Sequence, residues 1–327
     1  MIKILVVVSI AYASLWASPS WYHKLSKKDS SYYIGYGQGS TEIEAKTAAL
    51  NDISSQISVI VESSISSDMG IKEGSTYKNI EDRSSIRSLT QIHGYTVEEL
   101  AFEDDKYYMA ISYENIPSID KFNKKIADLY VPEAESYNSY LQETYITTEL
   151  KRKVDFDLER KDGLWYIKYQ NILQVLDKKD FSKFFVSTTN TKLSITTNKR
   201  NNVLWNEDEF FFKVTSKETG YVTLFTVYED GTVASLMQNV AIQKDTMQNI
   251  PDEKYDSVLE AGLIKRGIET FDLYVLVFSK DKKYYDRFAR ADEALIEDER
   301  YKNFDELINM INGRDYVTLK VITKPRM

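Results

Sequence analysis

The 327 residues contain no cysteine, and only two histidines, five prolines and twelve glycines. Without cysteine there can be no disulfide, thiolate metal site, iron–sulfur cluster or cysteine nucleophile, so stability rests on burial alone. A lipobox is excluded for the same reason, because that lipidation needs a cysteine at the new N-terminus. His23 and His93 stand far apart and lack metal-ligand spacing. A triad built on either histidine stays open, although no G-x-S-x-G elbow marks its serine. Excess basic charge is missing too: 42 basic against 50 acidic side chains give a formal charge of −8, which argues against general nucleic-acid binding. The composition, 43% hydrophobic and 28% charged, is that of a soluble globular chain, and at roughly 150 residues per domain the length suggests about two domains.

What is present begins at the N-terminus. Lys3 precedes a mostly apolar run from Ile4 to Trp16, shorter than the ~20 residues a membrane span needs. It reads as a signal peptide over residues 1–17, cleaved after Ala17 or, as the second candidate, after Ala13. The expectation is a periplasmic protein that reaches a membrane only through protein partners or a retained signal segment.

The hydropathy pattern predicts an α+β fold. Tyr32 to Gly39 reads as a short strand, and Thr41 with Glu44 forms a capping-box signal. Behind it Ala45, Ala48, Ala49, Ile53, Ile57, Ile60, Val61 and Ile65 recur at helical spacing, predicting a long helix over about 42–66. Strand-like segments come next within 84–99, and Tyr107, Met109, Ile111 and Tyr113 alternate at period two after a turn at Glu103-Asp104-Asp105. Residues 18–130, closed by a helix from Ser118 to Tyr130, then form one domain: a helix on an antiparallel sheet. Residues 131–189 read as a connector with a helix over its polar start and a hairpin at Asp162-Gly163. Residues 190–327 form a second, β-rich α+β domain. It has a hairpin at Asp230-Gly231, a helical stretch carrying Val258, Leu259 and Leu263, and a central strand over Phe271–Phe278. A last helix stops at Gly313, and a closing strand bears Val317, Leu319 and Val321.

The motifs that carry chemistry elsewhere are weak here. Gly35, Gly37 and Gly39 have the wrong spacing for a dinucleotide loop and read as a tight backbone turn feeding the helix. Ser75/Lys78, Ser118/Lys121 and Ser279/Lys282 match S-x-x-K, the chance yield of a Ser- and Lys-rich chain without K-T-G. Glu103-Asp104-Asp105 lacks the alternating ligands of a calcium loop, and Glu297-Asp298-Glu299 reads as an exposed helix face. No catalytic, cofactor or metal residue is therefore expected. Tyrosine is the unusual feature: 24 residues, several in doublets. Tyrosine suits interfaces as well as half-buried strands, and Tyr32, Tyr33, Tyr36, Tyr107 and Tyr108 are the candidate interaction surface.

Trp21, Ile34-Gly35-Tyr36-Gly37-Gln38-Gly39 and the helix bearing Ala45, Ala48, Ala49 and Ile53 resemble the Lpp-twenty-type outer-membrane lipoprotein family, which also covers FlgP-type and FlgT-type flagellar envelope proteins. The resemblance spans roughly residues 20–125, and the missing lipobox cysteine keeps direct lipid anchoring from carrying over. The second half is similar to a bacterial envelope domain of unknown function (the forty-three eighty-four one). This likeness rests on Gly220–Phe225, Asp230-Gly231, Leu236 with Asn239, Ile250-Pro251 and the Phe271–Ser279 strand. Gln238 stands where that domain usually has proline. The resemblance implies a non-catalytic periplasmic protein that scaffolds or assists an outer-membrane or flagellar assembly, with envelope proteins as partners and homo-oligomerisation left open. The alternative is a periplasmic module that binds glycan or peptide.

Overall fold

The computed structural model describes residues 18–69, 92–132, 137–252, 258–288 and 302–326; side chains are described for residues 42–57 of the first helix and not beyond. Its architecture is mixed α+β, with mostly antiparallel sheets and a few helices, and the chain divides between Ile116 and Pro117 into two units.

In the first unit β1 (Tyr32–Gly39) leads into α1 (Glu42–Met69), and a hairpin of β2 (Thr96–Glu103) and β3 (Lys106–Glu114) completes the sheet in the order β1-β3-β2. Thr41 Oγ1 accepts the Glu44 N–H at 3.2 Å, as a cap should. The Glu44 carboxylate reaches back one residue further than the capping box predicts, to the Ser40 hydroxyl at 2.6 Å and the Ser40 N–H at 2.8 Å. Those bonds, the hydroxyl first, hold its pKa below the usual carboxylate range. Gly35, Gly37 and Gly39 are not a turn before the helix. They lie within the strand and, at period two, share one face of the sheet. A side chain on Gly35 or Gly37 would strike the backbone of Ala45 or Ala49, so this bare face lets α1 settle directly onto β1. Ala45, Ala49 and Ile53 then pack with Tyr33, Met109 and Ile111 as a small core.

The second unit opens with α2 (Ser118–Ile126), read from sequence as closing the first domain; here its Ile119, Phe122 and Ile126 join the second unit's core. Two short helices come after it, α3 (Ser139–Glu143) and α4 (Tyr145–Glu149). A three-stranded meander is next: β4 (Asp157–Lys161), β5 (Leu164–Tyr169) and β6 (Ile172–Val175), then α5 (Lys178–Ser182). The described residues of the 131–189 stretch thus form a packed layer and not a linker: Tyr140, Phe156, Phe184 and Phe185 are among the most deeply buried side chains. After it come β7 (Leu193–Thr197), β8 (Val203–Trp205), β9 (Glu209–Phe210), β10 (Phe212–Ser216), β11 (Gly220–Val227), β12 (Thr232–Ile242), β13 (Gln248–Ile250), β14 (Leu259–Glu260) and β15 (Thr270–Ser279). The unit ends with β16 (Lys302–Asn303), α6 (Phe304–Ile311) and β17 (Tyr316–Lys324).

The central sheet runs β16-β12-β11-β15-β17-β8, and only the β17–β8 pair in it is parallel. Both faces of β15 are buried from Leu273 to Phe278, as that unbroken apolar stretch requires. Leu273, Val275 and Val277 meet the helical and meander layer, whereas Tyr274, Leu276 and Phe278 meet the sheet β13-β10-β7. The structure also departs from the helical stretch expected after Pro251. Val258, Leu259 and Leu263 form no helix; Leu259 instead pairs with Phe210 in the β14–β9 ladder, and Gly262 and Gly267 interrupt the segment between β14 and β15.

Candidate functional site

Adjacent residues of a strand point to opposite faces, and this decides where the five tyrosines go. Tyr33 lies under α1 in the small core, and Tyr107 lies at the margin of that core. Tyr32, Tyr36 and Tyr108 lie on the other face, where the segment before β1 folds over them. Tyr22 packs edge-on against Tyr36 (5.5 Å) and Tyr108 (5.1 Å), His23 leans on Tyr36 (4.5 Å), and the Leu25 N–H donates to the Tyr36 hydroxyl at 2.8 Å. Burial, with the nearby Tyr108 and Asp52, pushes the Tyr22 pKa up. Tyr33 and Tyr108 are buried and the other three half-buried. The structure therefore divides the five between two faces of one sheet and gathers only Tyr36 and Tyr108, around Tyr22.

The two edges of that sheet are treated differently. The free edge of β1 is closed by side chains of α1: the Tyr36 N–H donates to Asp52 Oδ2 and Gln56 Nε2 donates to the Ile34 carbonyl, both at 2.9 Å. Gln56 also donates to Asp52 Oδ1 at 3.2 Å, so two residues one helical turn apart stand in for the missing strand. Replacing both with alanine is expected to destabilise the first unit by about 1–2 kcal/mol, read from urea midpoints, and to promote concentration-dependent association in velocity sedimentation.

Nothing among the described residues pairs with the outer edge of β2. Its register sets Val97 opposite Ile111, Leu100 opposite Met109 and Phe102 opposite Tyr107, so all three extend the apolar face on which α1 lies. They remain 45%, 46% and 57% exposed. Among the described residues the one ring that meets Phe102 is that of Tyr107, at 4.7 Å. Of the five tyrosines, Tyr107 alone adjoins this ridge. The sequence contains the apolar residues of β2 but does not show that the strand is an edge, because that depends on what pairs with it.

The residues set aside as chemical motifs have structural roles where they are described. Ser118 Oγ accepts the Asp177 N–H at 3.0 Å and bonds its carboxylate at 3.2 Å, tying α2 to the start of α5. Ser279 ends β15 opposite Tyr221, and Lys282 lies over the Tyr221 ring. Asp104 and Asp105, both at positive φ, form the two-residue turn between β2 and β3. Gln238 and Asn239 accept the backbone N–H groups of Tyr285 and Lys283, at 3.1 and 2.7 Å. His93 is half-buried, and Ser75, Lys78 and Glu297–Glu299 lie outside the described residues, as do residues 1–17. Among the described residues no group of three or more His, Asp or Glu is placed to hold a metal ion, and no helix is long and apolar enough to cross a membrane. No family model, curated protein or solved structure matches the chain.

Proposed function

We propose that this protein works by binding other proteins: a non-catalytic periplasmic component that scaffolds or assists an outer-membrane or flagellar envelope assembly. One observation carries the reading. A sheet whose one edge is closed by Asp52 and Gln56 leaves Val97, Leu100 and Phe102 exposed along the other. Exposed apolar edges invite pairing and are usually blocked, so an edge left apolar beside one that is sealed favours a docking role. The apolar run from Ile4 to Trp16 and the envelope-family resemblance supply the compartment.

Cell fractionation tests this reading. The chain is expected to leave the cytoplasm, to sediment with the outer membrane, and to be released by a high-salt wash as a cross-linkable complex. Recovery as a free periplasmic monomer would overturn it. A second reading, a glycan- or peptide-binding module, is favoured by the rings of Trp21, Tyr22, His23 and Tyr36 gathered on the face away from α1. It predicts saturable binding to peptidoglycan that is lost in Tyr22→Ala and Tyr36→Ala.

A further inference from the structure

We infer that β2 is a strand-addition site for an extended, basic segment of a partner protein, one whose apolar side chains alternate with lysine or arginine. This rests on the assembly reading above and names the chemistry of its contact.

The backbone supplies the first argument. A two-residue turn at Asp104-Asp105 joins β2 to β3, which makes Glu103 and Lys106 a hydrogen-bonded pair. Inward and outward groups alternate from there, so Leu100 and Phe102 turn their N–H and C=O away from β3. An incoming extended chain satisfies those groups at the spacing they already have; a helix does not.

Side chains decide what kind of extended chain. Val97, Leu100 and Phe102 form an apolar row on the face shared with Met109 and Ile111. Glu99 and Glu103 lie on the opposite face, exposed, with Lys106 of β3 across from Glu103. Glu98 is tied inward, accepting from the Ser112 hydroxyl at 2.5 Å and lying 3.9 Å from Lys28. From Thr96 to Glu103 there are three glutamates and no cation. A second copy of β2 laid along this edge would bring acidic strands together, and like charges facing across strands are destabilising. A strand with apolar residues on one face and cations on the other fits both rows.

The test uses the full-length mature chain and an acetylated decapeptide of alternating lysine and valine, titrated by fluorescence anisotropy. Saturable binding that weakens with salt is expected, together with rapid hydrogen exchange of the Leu100 and Phe102 amides that slows when peptide is added. Leu100→Pro removes an outward donor while sparing the ladder to β3, and should abolish binding. Glu99→Lys with Glu103→Lys, which leaves the backbone unaltered, should weaken binding about tenfold or more.

The proposal is overturned by equal binding of a glutamate–valine peptide, by undiminished binding by both variants, or by Leu100 and Phe102 amides as protected in the free protein as those of β3. A dimer dissolved by Leu100→Pro would assign the edge to a second copy and overturn it as well. Peptide binding by a chain that never sediments with the envelope would remove the assembly reading and leave this site standing. Sedimentation without peptide binding would do the reverse.

Discussion

Gly37→Ala is expected to unseat α1 from its sheet. A methyl group built on Gly37 would lie 1.9 Å from the Ala45 carbonyl oxygen and 2.4 Å from the Ala49 nitrogen. Both are backbone atoms of a helix, and neither can rotate aside. Relief requires the helix to lift, which opens the contacts of Ala45, Ala49 and Ile53 with Tyr33, Met109 and Ile111. Overpacking a core ordinarily costs ~1–3 kcal/mol, and a clash between two rigid backbones belongs at or beyond the top of that range. The hydrogen bonds from Tyr36 to Asp52 and from Gln56 to Ile34 depend on the same approach and should be lost with it. Gly262→Ala is the control, because an added methyl there meets no atom within 4 Å and its φ is negative or extended. Urea denaturation should give a loss of about 3 kcal/mol or more for Gly37→Ala and less than about 0.5 kcal/mol for the control. Equal midpoints would mean that α1 does not lie this close to β1.

The glycine stripe shows how far the sequence can be read. The alternating glycines and the alanines at helical spacing are both visible in it, as is the helix's need for an apolar support. Reading the glycines as a turn hides how the two sets match. Period two places all three on one face, and that is the face on which small residues of the helix land. The tyrosine doublets fail in the opposite direction. Tyr32 and Tyr33, or Tyr107 and Tyr108, cannot share a face of a strand, so a doublet could never present two rings to one partner. The 131–189 layer gives little signal because its helices are short, five residues in both α3 and α4, and its burial comes from aromatics at irregular spacing, such as Tyr140, Phe156 and Phe184. Periodicity needs a longer element to show. In β2 the adjacent Glu98 and Glu99 break the alternation, and the structure has a register shift there. A bulge is therefore legible in principle. The strand's status as an edge is not.

Asp272 is expected to make the second unit less stable as the pH rises through the weakly acid range. It lies on β15, opposite Val321 of β17, on the same face as Tyr274. Burial, and after it the charge of Glu229, pushes its carboxyl up to about 7. Glu229 is itself bound to Lys178 at 2.5 Å and to the Thr270 hydroxyl at 3.2 Å. An aspartate in the unfolded chain titrates near ~3.9. Between about pH 4 and pH 7 the folded state therefore holds a proton that the unfolded state has released. Folding in that window is favoured by acid, and the stability Asp272 contributes when protonated is lost as the pH climbs. Each pKa unit is worth ~1.4 kcal/mol, and since the residue is not fully enclosed the expected loss is on the order of 2 kcal/mol. Other carboxyls shift in both directions: burial raises Glu143, Asp155 and Asp305, whereas the Trp205 N–H lowers Asp208 and Lys217 lowers Asp245. The wild-type profile alone is thus a sum, and Asp272→Asn isolates this one contribution, because asparagine matches the protonated aspartic acid in size and charge. Urea midpoints for the two proteins should nearly coincide at pH 4. They should separate in favour of Asp272→Asn up to pH 7.5 and run parallel beyond it. A constant separation across the range would mean that Asp272 keeps its charge in the folded protein, with water or a cation at its carboxylate.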